Sequence, residues 1–309
     1  MSNPMNPKPC ILIAEIGCNH KGDMEIAKEL INSAKIFCRI THVKFQKRTN
    51  RELLTPEQYN APHPDPQSSY GKTYGEHREF LEFSLKQHRE LKDYCDKNGM
   101  VYSTSVWDVT ALKEISGLAP ALIKIPSAIN TNYELLEYAC RNYKGEIHVS
   151  LGMTTRAEER EIMALFRRTK RNKDMVLYAC TSGYPIEAQD ACLLEITRLR
   201  QAYEKEVKGI GYSGHHNGIA LDLGAVVLGA TYIERHFTLN RTWKGTDHAA
   251  SLEPDGLRRL EKSIEQMKQA LKYKTSEILP IEEPQLAKLK WRPREAAKGR
   301  RHPKAADVA

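Results

Sequence analysis

The sequence predicts a closed (β/α)8 barrel with a short basic C-terminal tail. Between residues 11 and 271, eight short apolar segments alternate with segments of helical period, as βα units do. Polar and ionisable side chains also gather at the C-terminal ends of the apolar segments, where barrel active sites lie. An open doubly wound sheet is the competing arrangement; closure is favoured because it makes those scattered ends ring one cavity.

In order, the strands are read at Ile11–Ile16, Thr41–Phe45, Met100–Thr104, Ala121–Ile125, Glu146–Leu151, Met175–Cys180, Gly209–Tyr212 and Tyr232–His236. Asp23 reads as the N-cap of a helix whose Ile26, Leu30 and Ala34 share one stripe. Later helices are expected over Val109–Ser116, Asn132–Arg141, Arg156–Arg168, Asp190–Ala202 and Gly218–Val227. The last carries Leu257, Leu260, Ile264, Met267 and Leu271 at amphipathic spacing. Lys47 to His77 is a long polar connection rich in Pro, Asn, Ser and Tyr, which predicts a functional lid.

Bulk properties narrow the class. A chain of 309 residues that is 40% apolar supports a sizeable core, and the reading divides it into a barrel over residues 1–274 and a tail over 275–309. No apolar run approaches the roughly 18 residues of a membrane span, and Met1–Pro9 lacks a signal-peptide pattern, so a soluble cytoplasmic protein is expected. Seven cysteines without a C-x-x-C read as free thiols in a reducing compartment. The net charge is +8, but from Lys288 onward eight Lys and Arg face two acids, so the remainder is near +2. Nucleic-acid binding would rest on the tail alone and is not expected.

Strand ends carry Glu15, Lys44, Thr104, Lys124, Ser127, Ser150, Ser182, Ser213, His215 and His236. Lysines at a barrel mouth are costly unless they meet an anion, so Lys44 and Lys124 predict a phosphate or carboxylate ligand, or else ion pairs with Glu15 or another carboxylate. Thr104, Ser127, Ser150 and Ser182 offer hydroxyl donors to such an anion. His215 and His236 end neighbouring strands with Asp247 nearby, a set that suits manganese, magnesium or zinc acting as a Lewis acid; each histidine could equally be hydrogen-bonded. No Walker A loop or G-x-G-x-x-G is present, and Ser213 lacks a nucleophile elbow, which argues against nucleotide binding and acyl transfer.

Seven blocks in order, IAEIGCNHKGD, VKFQ, GKTYGEH, CTSGYP, GYSGHH, ERHFTL and TWKGTDHAASLEP, resemble the sialic acid synthase family over roughly residues 11 to 272. That resemblance implies a transferase of carbohydrate biosynthesis that condenses phosphoenolpyruvate with an aldose, such as N-acetylmannosamine or its 6-phosphate, giving a nonulosonic acid and phosphate. It implies a homodimer and a divalent metal, manganese before magnesium, on His215 and His236. By the same resemblance Lys44, Thr104, Lys124, Ser127, Ser150, Ser182 and Ser213 match positions that bind phosphoenolpyruvate; Glu15, Tyr184 and Asp247 match positions that face the sugar. His215, His236 and Glu15 are the expected catalytic residues.

The sequence departs from the family pattern in two places. Ile129 stands where the family has an acid facing the sugar, and the family's C-terminal antifreeze-like domain, which lends an arginine to a partner's site, is replaced by the short tail with Arg292, Arg294, Arg300 and Arg301. The alternative expectation is therefore a catalytically impaired barrel that binds phosphoenolpyruvate or a sugar.

Overall fold

In the computed structural model, which describes residues 9–291, eight parallel strands close into a barrel in chain order. They are β1 (Ile11–Gly17), β2 (His42–Lys47), β3 (Val101–Val106), β4 (Leu122–Ile125), β5 (Glu146–Ser150), β6 (Met175–Cys180), β7 (Gly209–Gly214) and β8 (Tyr232–His236). Pairing of β8 with β1 completes the ring. The predicted barrel is correct, and the strand bounds agree to within a few residues.

Helices follow the strands outside: α1 (Met24–Asn32), α2 (Asn50–Leu53), α3 (Pro56–Asn60), α4 (Tyr74–Phe80), α5 (Leu85–Lys97), α6 (Val109–Ser116), α7 (Tyr133–Asn142), α8 (Arg156–Arg168), α9 (Leu194–Tyr203), α10 (Ala220–Val227) and α11 (Pro254–Ala270). Asp23 caps α1 as expected, accepting from the amide of Glu25 at 2.7 Å. α11 buries Leu257, Leu260 and Ile264 completely. Each such side chain is worth about 1.5–3 kcal/mol of transfer free energy.

The structure details one expectation and corrects another. The connection after β2 is a folded cap that contains α2, α3 and α4; Thr55 with Gln58, and Thr73 with Glu76, form reciprocal capping boxes at α3 and α4. The outer helix of this unit is α5, entered through a third such box at Ser84 and Gln87, and the sequence reading left it unassigned. The predicted helix at Asp190 begins later, at Leu194, because Cys192 adopts a left-handed φ of 46°.

Strand alternation divides the side chains into two layers. Leu12, Ile16, Val43, Phe45, Ile123 and Ile125 join the apolar layer beneath the helices. The barrel interior is more polar. Ile13, Val176, Tyr178 and Tyr232 form a small apolar cluster there. Gly211 makes room for it, since a Cβ at that position would sit 2.6 Å from the Tyr178 ring.

Residues beyond Leu271 form a separate unit. Within it, a short helix, α12, spans Glu283–Leu289, and Lys274 is paired with Glu282 at 2.8 Å. Arg292, Arg294, Arg300 and Arg301 lie outside the described residues. Among the described residues, no helix is long and apolar enough to cross a membrane, and the seven cysteines form no disulfide.

The loop after β7 is fastened by a fully buried ion pair. The guanidinium of Arg235 donates to Asp222 on α10, to the carbonyl of His216 at 2.7 Å and to that of Gly218 at 2.9 Å. Removing one member of such a pair strands a buried charge. Asp222→Ala is expected to lower the unfolding free energy by about 3–5 kcal/mol, measured by urea denaturation.

Candidate functional site

The register of the barrel explains how residues distant in sequence come together. Glu15 lies opposite Lys44 on one side and His236 on the other; Ser105 lies opposite Lys124, and Ser213 opposite Glu234. All seven line one cavity of about 260 Å³ at the C-terminal end of the barrel, together with Ser127, Ser150, Tyr184, His215 and Asp247.

The floor of this cavity is a chain of buried charges. Lys44 lies 2.5 Å from Glu15, 3.8 Å from Glu234 and 2.6 Å from the Ser105 hydroxyl. Lys124 donates to Glu234 at 2.9 Å, and its ammonium sits 3.8 Å from the centre of the Tyr178 ring. Ser213 donates to the other oxygen of Glu234 at 3.2 Å. The ion-pair alternative for the lysines is the one seen in the structure, and both lysines also face the cavity.

Environment separates the two carboxyl groups. Burial pushes the Glu15 pKa up to about 8, against the opposing pull of Lys44, which it shares with Glu234. Burial also works against ionised Glu234, but Lys124 and Lys44 together outweigh it and hold this carboxyl well below the usual range. Lys44 is raised, because Glu15 and Glu234 outweigh its burial, while Lys124 is lowered by burial. Near neutral pH the floor holds an ionised Glu234 beside a proton on Glu15.

One wall is built from histidines. The rings of His215 and His236 are 5.5 Å apart, with Tyr184 4.2 Å from the former and 5.8 Å from the latter. Nδ1 of His215 meets the Thr181 carbonyl at 2.9 Å, which makes Nδ1 the donor and leaves Nε2 a free lone pair. Nδ1 of His236 is buried without a hydrogen-bond partner, 3.9 Å from Asp247. Burial, chiefly, lowers both pKa values, that of His215 to about 3, so both rings are neutral, the form that ligates metals. Among the described residues no group of three or more His, Cys, Asp and Glu is arranged around one point. Two neutral imidazoles, one with an orphaned buried Nδ1, are donors of the kind that can ligate a divalent cation.

Not every predicted residue reaches the cavity. Thr104 points the other way: on β3 the period of two sends Ser103 and Ser105 inward and Thr104 toward the helices, so Ser105 is the β3 hydroxyl that lines the cavity. Ser182 lies behind the lining, near enough that a Cβ on Gly152 would meet its hydroxyl at 2.5 Å and that of Ser127 at 2.7 Å. Ile129 sits in a short 3-10 turn, partly buried against the apolar core, and offers nothing to the cavity. Asp247 and Glu15 both approach Gly17, whose φ is +54°; a Cβ there would stand 3.1 Å from Glu15 Oε1 and 3.5 Å from Asp247 Oδ2.

Sequence reasoning missed Glu234, which is one residue before Arg235 in the same strand that delivers His236. Counting back by two from His236 identifies it as inward-facing. It also missed Gln46 on β2, Arg48 and Trp107 just beyond β2 and β3, and His77 and Arg78 on α4, all of which line the same cavity.

The raised pKa of Glu15 makes stability pH-dependent. The folded state holds this proton more tightly than the unfolded chain, so the contribution is complete below about pH 4.5 and is lost as pH rises through about 8. In EDTA, the stability difference between wild type and Glu15→Gln is expected to fall across this window, with a slope of up to about 1.4 kcal/mol per pH unit. Urea unfolding at pH 5 and pH 8.5 measures it; equal differences at both would show that Glu15 is ionised throughout.

Comparison with known proteins places this cavity in a family. The model of the NeuB family matches residues 30–276. N-acetylneuraminate-9-phosphate synthase of Mus musculus is 37% identical over 279 residues, which is 89% of this chain and 74% of the relative. N,N'-diacetyllegionaminic acid synthase of Campylobacter jejuni is 32% identical over 85% of this chain and 78% of that protein. The crystal structure of the N-acetylneuraminic acid synthetase of Leptospira borgpetersenii superposes with a TM-score of 0.76 at 28% identity, covering 90% of each chain. The chain belongs to the NeuB family, the sialic acid synthases that its seven sequence blocks resemble.

Proposed function

We propose that this protein condenses phosphoenolpyruvate with an open-chain aldose, releasing phosphate and forming a nonulosonic acid. The observation that carries this reading is the pair of buried lysines, Lys44 and Lys124, facing a cavity floored by hydroxyls and walled by two neutral histidines. The names of the relatives, which make neuraminic and legionaminic acids or their phosphate, support it.

In this reading Lys44 and Lys124 hold the phosphate and carboxylate of phosphoenolpyruvate, with Ser105, Ser127, Ser150 and Ser213 donating to its oxygens. His215 and His236 would hold a divalent cation, manganese or magnesium. When bound, it supplies Lewis acidity toward the aldehyde oxygen of the sugar. Glu15, which keeps its proton near neutral pH, gives that proton to the same oxygen as it becomes a hydroxyl. The new bond joins carbon 3 of phosphoenolpyruvate to the aldehyde carbon, and positive charge develops at carbon 2. The carboxylate of Glu234 lies on the floor beneath that charge and stabilises it. Water adds at carbon 2, giving one proton to the now ionised Glu15, and cleavage of the carbon–oxygen bond releases phosphate, which takes the hydroxyl proton and leaves the 2-keto acid. Asp247 and Tyr184, on the histidine side, position the sugar. We propose a homodimer as the working form, supported by the exposed apolar side chains of Met153 and Leu194.

Ile129 favours a second reading, a barrel that binds phosphoenolpyruvate without turnover, because its position brings no polar group to the acceptor. The two readings separate in one assay. Phosphate release from phosphoenolpyruvate is expected only when an aldose and a divalent metal are both present, across a panel of mannosamine, mannose and arabinose derivatives, free and phosphorylated. Calorimetric binding without release on any acceptor would establish the second reading instead. His236→Ala is expected to lose bound manganese by elemental analysis and to slow release by at least about 100-fold.

A further inference from the structure

Below the cavity floor the barrel interior carries a polar column, where barrels of this kind pack branched apolar side chains. Glu146 is the first residue of β5, and His148, two places on, shares its inward face. His148 is fully buried; its Nε2 lies 3.2 Å from the Glu146 carboxylate and its Nδ1 2.8 Å from the Tyr178 hydroxyl on β6. Tyr232 donates to the same carboxylate oxygen at 3.1 Å, and Lys208 lies 2.9 Å from the other. The Tyr178 ring is the one whose centre sits 3.8 Å from the Lys124 ammonium.

The direction of each hydrogen bond in this column is fixed. A carboxylate only accepts, so Nε2 of His148 carries the proton and Nδ1 is left with a lone pair. Tyr178 must then donate to Nδ1. Burial lowers the His148 pKa, so the ring is neutral, and burial raises that of Tyr178, so the phenol keeps its proton. Burial works against ionised Glu146, but His148 and Lys208 outweigh it and hold this carboxyl at about 2. Carboxylate, imidazole and hydroxyl follow the order that in serine hydrolases presses negative charge onto an oxygen. No substrate reaches this oxygen, because Tyr178 is fully buried. The electron density goes into the ring instead, and an electron-rich face binds a cation more strongly.

The geometry points to Glu146, His148 and Tyr178 as a positioning relay for the reaction: the carboxylate polarises the phenol through His148, and the ring holds the Lys124 ammonium in place and charged beneath its ligand. The other groups that face Lys124 are Glu234, Glu15, Lys44 and Cys180, and Tyr232 and His42 complete the surroundings of His148. Glu234 divides its charge between two lysines, while burial and Lys44 both oppose a charged Lys124, which gives the ring its task. The inference rests on Lys124 as an anion-binding group and goes beyond it, since none of the three relay residues lines the cavity.

Carbon-13 spectra of the full chain in EDTA, labelled at the lysine ε-carbons, read the charge on Lys124 with no ligand present; its signal is the one missing from Lys124→Met. The midpoint of that signal is expected to fall by about one pH unit, a roughly tenfold change in proton affinity, in both Tyr178→Phe and Glu146→Gln. Each variant keeps the shape of its side chain, and Glu146→Gln, at the partly exposed end of the column, decides alone if Tyr178→Phe does not fold. Calorimetry with phosphoenolpyruvate is expected to give affinities within about threefold of wild type at pH 6, and weaker by about five- to tenfold above the wild-type midpoint. An unmoved midpoint in a folded variant, even one that melts earlier or binds more weakly, would overturn the relay. So would a shift in Tyr178→Phe without one in Glu146→Gln. If wild type binds no phosphoenolpyruvate, the synthase reading fails, and the lysine signal still decides the relay.

Discussion

Everything in the cavity depends on a line of four ionisable groups buried inside the barrel: Glu15, Lys44, Glu234 and Lys124. Placing two ammonium groups in the interior is affordable only because two carboxylates on neighbouring strands meet them and Tyr178 offers its ring face to Lys124. The arrangement is unequal by design of position. Glu234 bridges both lysines and stays ionised, whereas Glu15 touches one and holds its proton, so the floor carries a surplus positive charge until an anion enters.

The barrel makes this line possible because its parallel register is fixed. Each of the four residues comes from a different strand, β1, β2, β4 or β8, and each occupies an inward position near the C-terminal end. The supporting shell outside is conventional packing, with the Arg235–Asp222 pair holding the loop that presents His215. The folded cap then closes the cavity from the second strand and contributes cations rather than acids.

Much of this was legible in the sequence because strand ends are the positions that matter in a barrel. Lys44, Lys124, Ser127, Ser150, Ser213, His215 and His236 each follow an apolar run, so their convergence needed only the fold. Thr104 failed because the inward-facing hydroxyl of β3 is Ser105, one position later, and a shift of one residue turns a side chain to the opposite face. Glu234 was overlooked as an ordinary strand interior residue; in a barrel whose interior is polar, the residue two before a strand-end histidine is as informative as the histidine. The wall of Arg48 and Arg78 had no local signal at all. Arg78 arrives on α4 and Arg48 on the chain just beyond β2, and the polar composition of residues 47–77 pointed only to a functional lid.

The central claim is that Lys44 and Lys124 are an anion site kept charged by buried carboxylates, and phosphoenolpyruvate binding tests it most directly. Calorimetric titration of the metal-free protein with phosphoenolpyruvate should show one site per chain in wild type, weakened by at least about 100-fold in Lys124→Met, while near-ultraviolet circular dichroism confirms that the variant keeps its fold. Undiminished binding by a folded Lys124→Met protein would contradict the account, because it would mean that the buried lysines serve the barrel's stability and not its ligand.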